Sequence, residues 1–268
     1  WHPARREMLI RTRFAETAQI HRVQTPGGDR AQLTFFADPI RGASYPPKGG
    51  DWFVFAKDSG GNEFYQLYRY DAGTGASTLL TDGKSRNSNA VWSSGGDWLA
   101  YSSTRRNGKD QDLYVVNPAD PNSDRLLARL DGSGWRALDW APDDRSLLAL
   151  EFVSINESYL WRFDAATGAR TLLTPKGGPE PVSYGGGRFS KDGKGLYVTT
   201  DRESEFHRLA HVELATMRHA YLSDAITWGV EDFALSRDGK WLAVVTNEDG
   251  VSILRVLDAA AGREQPVP

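Results

Sequence analysis

Acidic side chains recur at a single kind of position along this 268-residue chain. Glu16, Glu63, Asp112, Glu157, Glu205 and Glu248 each stand shortly before an apolar run of strand character. Three of them share a phrase, "GGNEFYQ", "SINESYL" and "RESEFHR", in which an aromatic follows the acid within two residues. Carboxylates placed this way can attract a cationic group, such as the amino end of a peptide, or face a basic partner. The same residues can also do no more than solvate turns and cap strand edges.

Other chemistry is thinly represented. A nucleophile elbow needs Gly-x-Ser-x-Gly, because a tight strand-to-helix turn must present the serine. "GASYP" (42–46) and "DGSGW" (131–135) come near but carry the wrong flanks. A Ser-His-Asp triad inside this chain is therefore not expected. Cysteine is absent, which removes disulfides, thiolate nucleophiles and Cys-based zinc sites. His207 and His211 stand four apart in "FHRLAHVEL", so on a strand both would point to one side. No acid occupies a matching position between them, and packing or surface roles are expected rather than a metal. "DQD" at 110–112 resembles the start of a calcium loop but lacks the Gly and distal Glu that complete one. The residues point to no catalytic group, metal or cofactor within the chain.

The elements that would position the acids are written as a repeat. An apolar lead, a Gly/Asp-rich turn and an alternating run recur in "WHPARREMLI", "PPKGGDWFVF", "WSSGGDWLAY", "WAPDDRSLLA", "FSKDGKGLYV" and "LSRDGKWLAV". The residue just before each second strand falls at Glu7, Trp52, Trp98, Ser146, Gly195 and Trp241, at intervals of 45, 46, 48, 49 and 46. Asp-Gly between two such runs is a strong hairpin signal. A third strand follows, as in "QLYRYD", "DLYVVN" and "YLWRFD", then a turn such as "DAGTG" or "DAATG", then a short fourth strand such as "ASTLLTD". Asp suits these turns because its side chain caps them, and Gly because it accepts positive φ.

Four short strands per unit with a period in the forties predicts an all-β fold: a β-propeller of about six four-stranded antiparallel blades. The blades are expected near residues 1–41, 42–87, 88–134, 135–183, 184–227 and 228–268. Runs such as "WFVFA" and "LLALEF" are apolar on both faces, as strands stacked between blades must be. Trp52, Trp98 and Trp241 are expected to be largely buried between blades. Trp1 aligns with Trp140, so the first blade should lack nearly all of its first strand. "REQPVP", with Pro266 and Pro268, makes a poor fourth strand. The chain thus reads as a piece of a longer protein with six units, whose ring either closes at six or lacks one blade.

Composition narrows the partners. Formal net charge is −3 with 25% charged residues, which argues against nucleic acid. No run of 18 apolar residues is present to span a membrane as a helix. The innermost strands, "GASYP", "SNAVW", "RALDW", "GGGRF" and "EDFAL", hold no histidine and only the scattered acids Asp139, Glu231 and Asp232. That weighs against a catalytic centre in a central channel. The composition does not separate cytoplasm from periplasm.

The phrases "LLTDGKSRN", "GGNEFYQLYRYD", "INESYLWRFD", "RFSKDGKGLYVTTDRESEF" and "TNEDG" resemble the propeller of bacterial prolyl-oligopeptidase-family serine peptidases, the dipeptidyl and acylaminoacyl peptidases among them. The corners and Leu-Thr strands also resemble TolB-type propellers. The peptidase resemblance covers essentially the whole chain. It implies a propeller that precedes an α/β-hydrolase domain, restricts entry to small peptides and docks against that domain, which would carry the Ser, Asp and His. No catalytic motif of the family falls on this chain, so no catalytic residue carries over. The alternative is a free-standing TolB-type propeller that binds a protein partner.

Overall fold

The computed structural model describes residues 1–14 and 16–266, and among them there is no helix. The chain divides into two compact units, residues 1–137 and 138–268. In the first unit, β1 (Met8–Arg13), β2 (Ala18–Val23) and β3 (Arg30–Gln32) form a three-stranded sheet. Next come β4 (Ile40–Ser44), β5 (Trp52–Lys57), β6 (Gln66–Asp71) and β7 (Ser77–Leu79). A third sheet holds β8 (Asn87–Trp92), β9 (Leu99–Ser103), β10 (Asp112–Asn117) and β11 (Asp120–Ala128). The second unit takes over within β12 (Trp135–Trp140), which leads into β13 (Ser146–Ser154), β14 (Glu157–Asp164) and β15 (Arg170–Leu172). Then follow β16 (Tyr184–Phe189), β17 (Gly195–Thr200), β18 (Arg208–Glu213) and β19 (His219–Tyr221). The last sheet comprises β20 (Val230–Leu235), β21 (Trp241–Glu248), β22 (Val251–Asp258) and β23 (Glu264–Gln265).

Each sheet is a meander in chain order, every neighbour antiparallel, which is the blade of a β-propeller. Five sheets have four strands. The first has three, in the order β1-β2-β3. Gln265 closes the last sheet as part of a two-residue strand, Pro266 follows it without strand pairing, and Pro268 lies outside the described residues.

The expected turn chemistry is present atom by atom. Ser190 Oγ donates to Asp192 Oδ1 at 2.5 Å, that oxygen accepts the Lys194 amide at 3.0 Å, and Gly193 takes φ +71°. The same corner recurs at Ser236, Asp238 and Gly239. Asp71 and Asp164 cap the third turns by accepting two amides and the Thr74 or Thr167 hydroxyl.

A second repeat falls on the Leu-Thr phrases that directly follow the fourth strands, with Ser223 replacing Thr in one of them. Ile20, Leu67, Leu160 and Leu209, each in a third strand, donate their amides to the hydroxyls of Thr34, Thr81, Thr174 and Ser223. The separation is 14 residues every time, at 2.9–3.2 Å, and all four hydroxyl residues are buried. The fourth strands are only three residues long here. The carbonyls of Ile20, Leu67, Leu160 and Leu209 still accept a backbone N–H, from Leu33, Leu80, Leu173 and Leu222, and the hydroxyl next in sequence satisfies the amide.

The core lies between successive blades of each unit. Ile20, Ile40, Phe53 and Phe55 join the first two sheets; Val54, Leu67, Leu99 and Tyr101 join the next pair. In the second unit Leu148, Leu160, Phe189 and Val198 form one such layer, and Tyr197, Phe233, Leu242 and Val244 another. Phe53, Val54 and Phe55 are consecutive and all buried, which requires cover on both faces of β5.

The tryptophans depart from expectation. Trp52 and Trp98 are only half-buried and Trp241 is 42% exposed. Trp52 and Trp241 are the first residues of β5 and β21, and Trp98 immediately precedes β9, so all three stand beside the corner. The buried positions are the next residue and the one two further on, as in Leu99 and Tyr101 or Leu242 and Val244. Trp52 is partly covered by Trp92, with ring centroids 5.6 Å apart, and by the Arg69 guanidinium. In β17 the equivalent residue is Gly195, and the reason is local: a Cβ there would meet His211 Nε2 at 2.2 Å.

Candidate functional site

The six acids do not share one environment. Glu16, Glu63 and Glu205 are exposed, each in the turn that precedes a third strand. Glu63 adopts φ +61°, held by donation of its amide to Asp58 Oδ2 at 2.8 Å. Glu157 opens β14, half-buried, and accepts the Tyr159 hydroxyl. That bond, ahead of burial, raises the Tyr159 pKa and keeps its hydroxyl protonated. Glu248 accepts Arg255 at 2.6 Å and the Thr246 hydroxyl at 2.9 Å, which hold its carboxyl below its ordinary range.

Asp112 is 0% exposed at the start of β10. Its carboxylate receives Arg106 Nε at 2.8 Å and Nη2 at 3.1 Å, and the Leu130 amide at 2.8 Å. Asp110 takes the same guanidinium at 3.1 Å. The "DQD" pair thus surrounds an arginine six residues or fewer upstream, and Arg106 supplies the positive charge that a calcium loop would take from a metal.

The aromatic partners of the acid phrases share one feature: each lines a recess. Tyr159 and Glu157 border a recess of about 460 Å³ under the segment 175–182, with Tyr184 and Arg202 opposite. Burial raises the Tyr184 pKa, so the hydroxyl is neutral there. Phe206 and Glu205 border a more open recess of about 520 Å³ with Asp201, His207, Trp228 and Glu231. Phe206, Trp228 and Ile155 expose apolar surface around it. In the first unit Phe64 lines a polar recess of about 430 Å³ with Arg86 and Lys109, and the Arg86 guanidinium lies 5.3 Å from the Phe64 ring. The recesses of the second unit carry carboxylates; this one carries cations. Sequence reading reached the acids but not Arg86, Tyr184 or Trp228, which come from other segments of the chain, and it touched Arg202 only as the first residue of the Glu205 phrase.

The remaining candidates are taken up in structure. Ser44 of "GASYP" accepts the Trp92 indole N–H at 2.9 Å. His211 packs beside Tyr197, centroids 5.0 Å apart, and burial lowers its pKa. His207 lies just before β18 and faces the Phe206 recess instead. Asp139 accepts the Phe189 amide at 2.8 Å, tying β12 to β16, and burial raises its pKa. The described residues hold no group of three His, Asp or Glu side chains placed to bind a metal.

No protein-family profile matches the chain. It is 27% identical over 183 residues to a Bacillus subtilis (strain 168) protein described as the uncharacterized peptidase YuxL. That match takes in 68% of this chain and 25% of the peptidase, so the chain spans about a quarter of its curated relative. Among solved structures it is similar to TolB from Acinetobacter baumannii, with TM-score 0.66 and 18% identity over 92% of this chain and 58% of TolB. A structure from a study of two prolyl endopeptidases matches with TM-score 0.74 and 15% identity, over 93% of this chain and 39% of that one. Oligogalacturonate lyase in complex with manganese gives TM-score 0.77 and 12% identity, over 97% of this chain and 73% of the lyase. At these identities the structures establish the fold, a β-propeller of the TolB and prolyl-endopeptidase kind. They carry no activity with them.

Proposed function

We propose that the chain is the non-catalytic propeller of a prolyl-oligopeptidase-like serine peptidase. It docks against an α/β-hydrolase domain of the same protein and restricts that domain's access to small peptides. The observation that carries this reading is the sequence match to a peptidase four times longer than the matched stretch. The absence of a Gly-x-Ser-x-Gly elbow from the sequence agrees with a catalytic serine located elsewhere. In this reading the carboxylates at the Tyr159 and Phe206 recesses attract the amino end of a peptide.

The test is the full-length protein. Its sequence should contain a Gly-x-Ser-x-Gly followed by Asp and His, and it should be labelled by a fluorophosphonate on that serine. Turnover should fall steeply from tetrapeptides to folded proteins. A full-length protein without the elbow, or unlabelled, supports the TolB-type alternative, a propeller that binds a protein partner.

A further inference from the structure

In the first sheet, β2 carries a histidine that the peptidase reading leaves without a role. His21 is 0% exposed, and its Nδ1 lies 3.2 Å from the Gln19 carbonyl oxygen. A carbonyl only accepts, so Nδ1 holds the proton and donates; Nε2 of the neutral ring is then an acceptor. Among the described residues Nε2 has no hydrogen-bond partner. Buried polar atoms are almost always paired, so an orphan of this kind calls for a missing partner.

The neighbouring amides do not supply one. Gln19 Nε2 donates to the Phe36 and Asp38 carbonyls, and Gln19 Oε1 accepts from Thr34 and the Phe36 amide. Gln32, opposite His21 across the ladder, donates to the Thr34 carbonyl.

His21 lines a half-open recess of about 210 Å³ together with Phe14, Phe35 and Phe36 and the polar Thr17, Gln19 and Gln32. Phe14 meets the imidazole edge-on with centroids 4.8 Å apart and is 60% exposed; Phe35 is 78% exposed. A cavity of about 150 Å³ lined by apolar side chains accommodates benzene, so the space suits one six-membered ring. Three phenylalanines favour an aromatic ring over an alkyl chain. No carboxylate lines the recess to favour a cation, and an acceptor nitrogen disfavours an anion.

We infer that this recess binds a phenol, its ring against Phe14 and Phe35 and its hydroxyl donating to His21 Nε2. Entry requires a side-chain movement, and Phe14, in the exposed turn after β1, is the ring that touches the imidazole. The site is independent of the peptidase reading and stands if that reading fails.

The probes are p-cresol, 4-methylanisole and N-acetyltyrosinamide, titrated into the purified protein by calorimetry and by NMR of the His21 Cε1 proton. We expect p-cresol to bind about tenfold tighter than 4-methylanisole, which has the ring but no donor. His21→Phe should abolish that preference. Phe35→Ala, an exposed substitution that leaves the fold intact, should weaken both ligands alike. Equal binding of N-acetyltyrosinamide and p-cresol would identify a tyrosine side chain as the occupant, and p-cresol alone a free phenol. Absence of p-cresol binding at millimolar concentration, or equal affinity for the methyl ether, overturns the proposal.

Discussion

Asp112 shows how far one residue's position in a repeat can mislead about its environment. It occupies the place of the exposed acids, yet its carboxylate is buried against Arg106 and the Leu130 amide. The clue in the sequence was "RRNGKDQD", a basic pair just upstream, but a turn's path decides whether such charges meet. Asp112→Ala should leave the buried Leu130 N–H unpaired and lower stability by about 2 kcal/mol in urea unfolding. Asp110→Ala, at the more open end of the same guanidinium, should have a much smaller effect. Equal losses would mean that the arginine pairing, not the buried amide, dominates.

His211 makes a second residue-scale case, with a pH signature. Burial lowers its pKa, so between the folded value and the ordinary histidine value of about 6.5 the unfolded chain binds the extra proton. Stability from the neutral ring is complete above that ordinary value and declines as pH falls below it. His219, depressed by burial and then by Arg202, acts in the same direction. The slope of unfolding free energy between pH 7 and pH 5 should therefore be shallower in His211→Gln. An unchanged slope would show that the ring is hydrated in solution.

At the scale of elements, much of the fold could be read directly. The Asp-Gly corners, the capped third turns and the number of units follow from local rules that need no tertiary knowledge. The tryptophan expectation failed because periodicity locates a strand end without saying which side of it is open. Gly195 stands where other blades carry Trp, and only the cross-strand His211 explains why. The Leu-Thr phrases were legible. That their hydroxyls clip the third strand 14 residues back was not, because it depends on where the short fourth strand stops and on burial by the neighbouring blade. Thr174→Val, nearly isosteric, should remove the acceptor of the buried Leu160 amide and cost about 1–3 kcal/mol. Thr167→Val, at the exposed capped turn of the same sheet, should cost less. Equal midpoints for Thr174→Val and the parent protein would mean that water reaches the Leu160 amide.

For the molecule as a whole, the fold says less about function than the distribution of charge around its recesses. A propeller similar to TolB, to prolyl endopeptidases and to a lyase is a scaffold with many uses. Selectivity must then reside in loop residues, and here the second unit places Glu157 and Glu205 at recesses with aromatic walls. If these acids draw a peptide's amino end, Glu157→Gln with Glu205→Gln in the full-length enzyme should raise KM and spare kcat. The change would reflect attraction alone. An exposed charge pair contributes about 0.2–1 kcal/mol, so the two substitutions together should raise KM about twofold to thirtyfold at low salt. At about 1 M salt the Debye length shrinks to about 3 Å and the difference should vanish. An N-acetylated peptide, having no cationic end, should show no difference at any ionic strength. Glu63→Gln provides the comparison, because its neighbouring recess is lined by Arg86 and Lys109 and should repel a cationic terminus. If all three substitutions leave KM unchanged at low salt, the acids only solvate the loop edges. If the acetylated and free peptides respond alike, the carboxylates act on the shape of the recess rather than on charge.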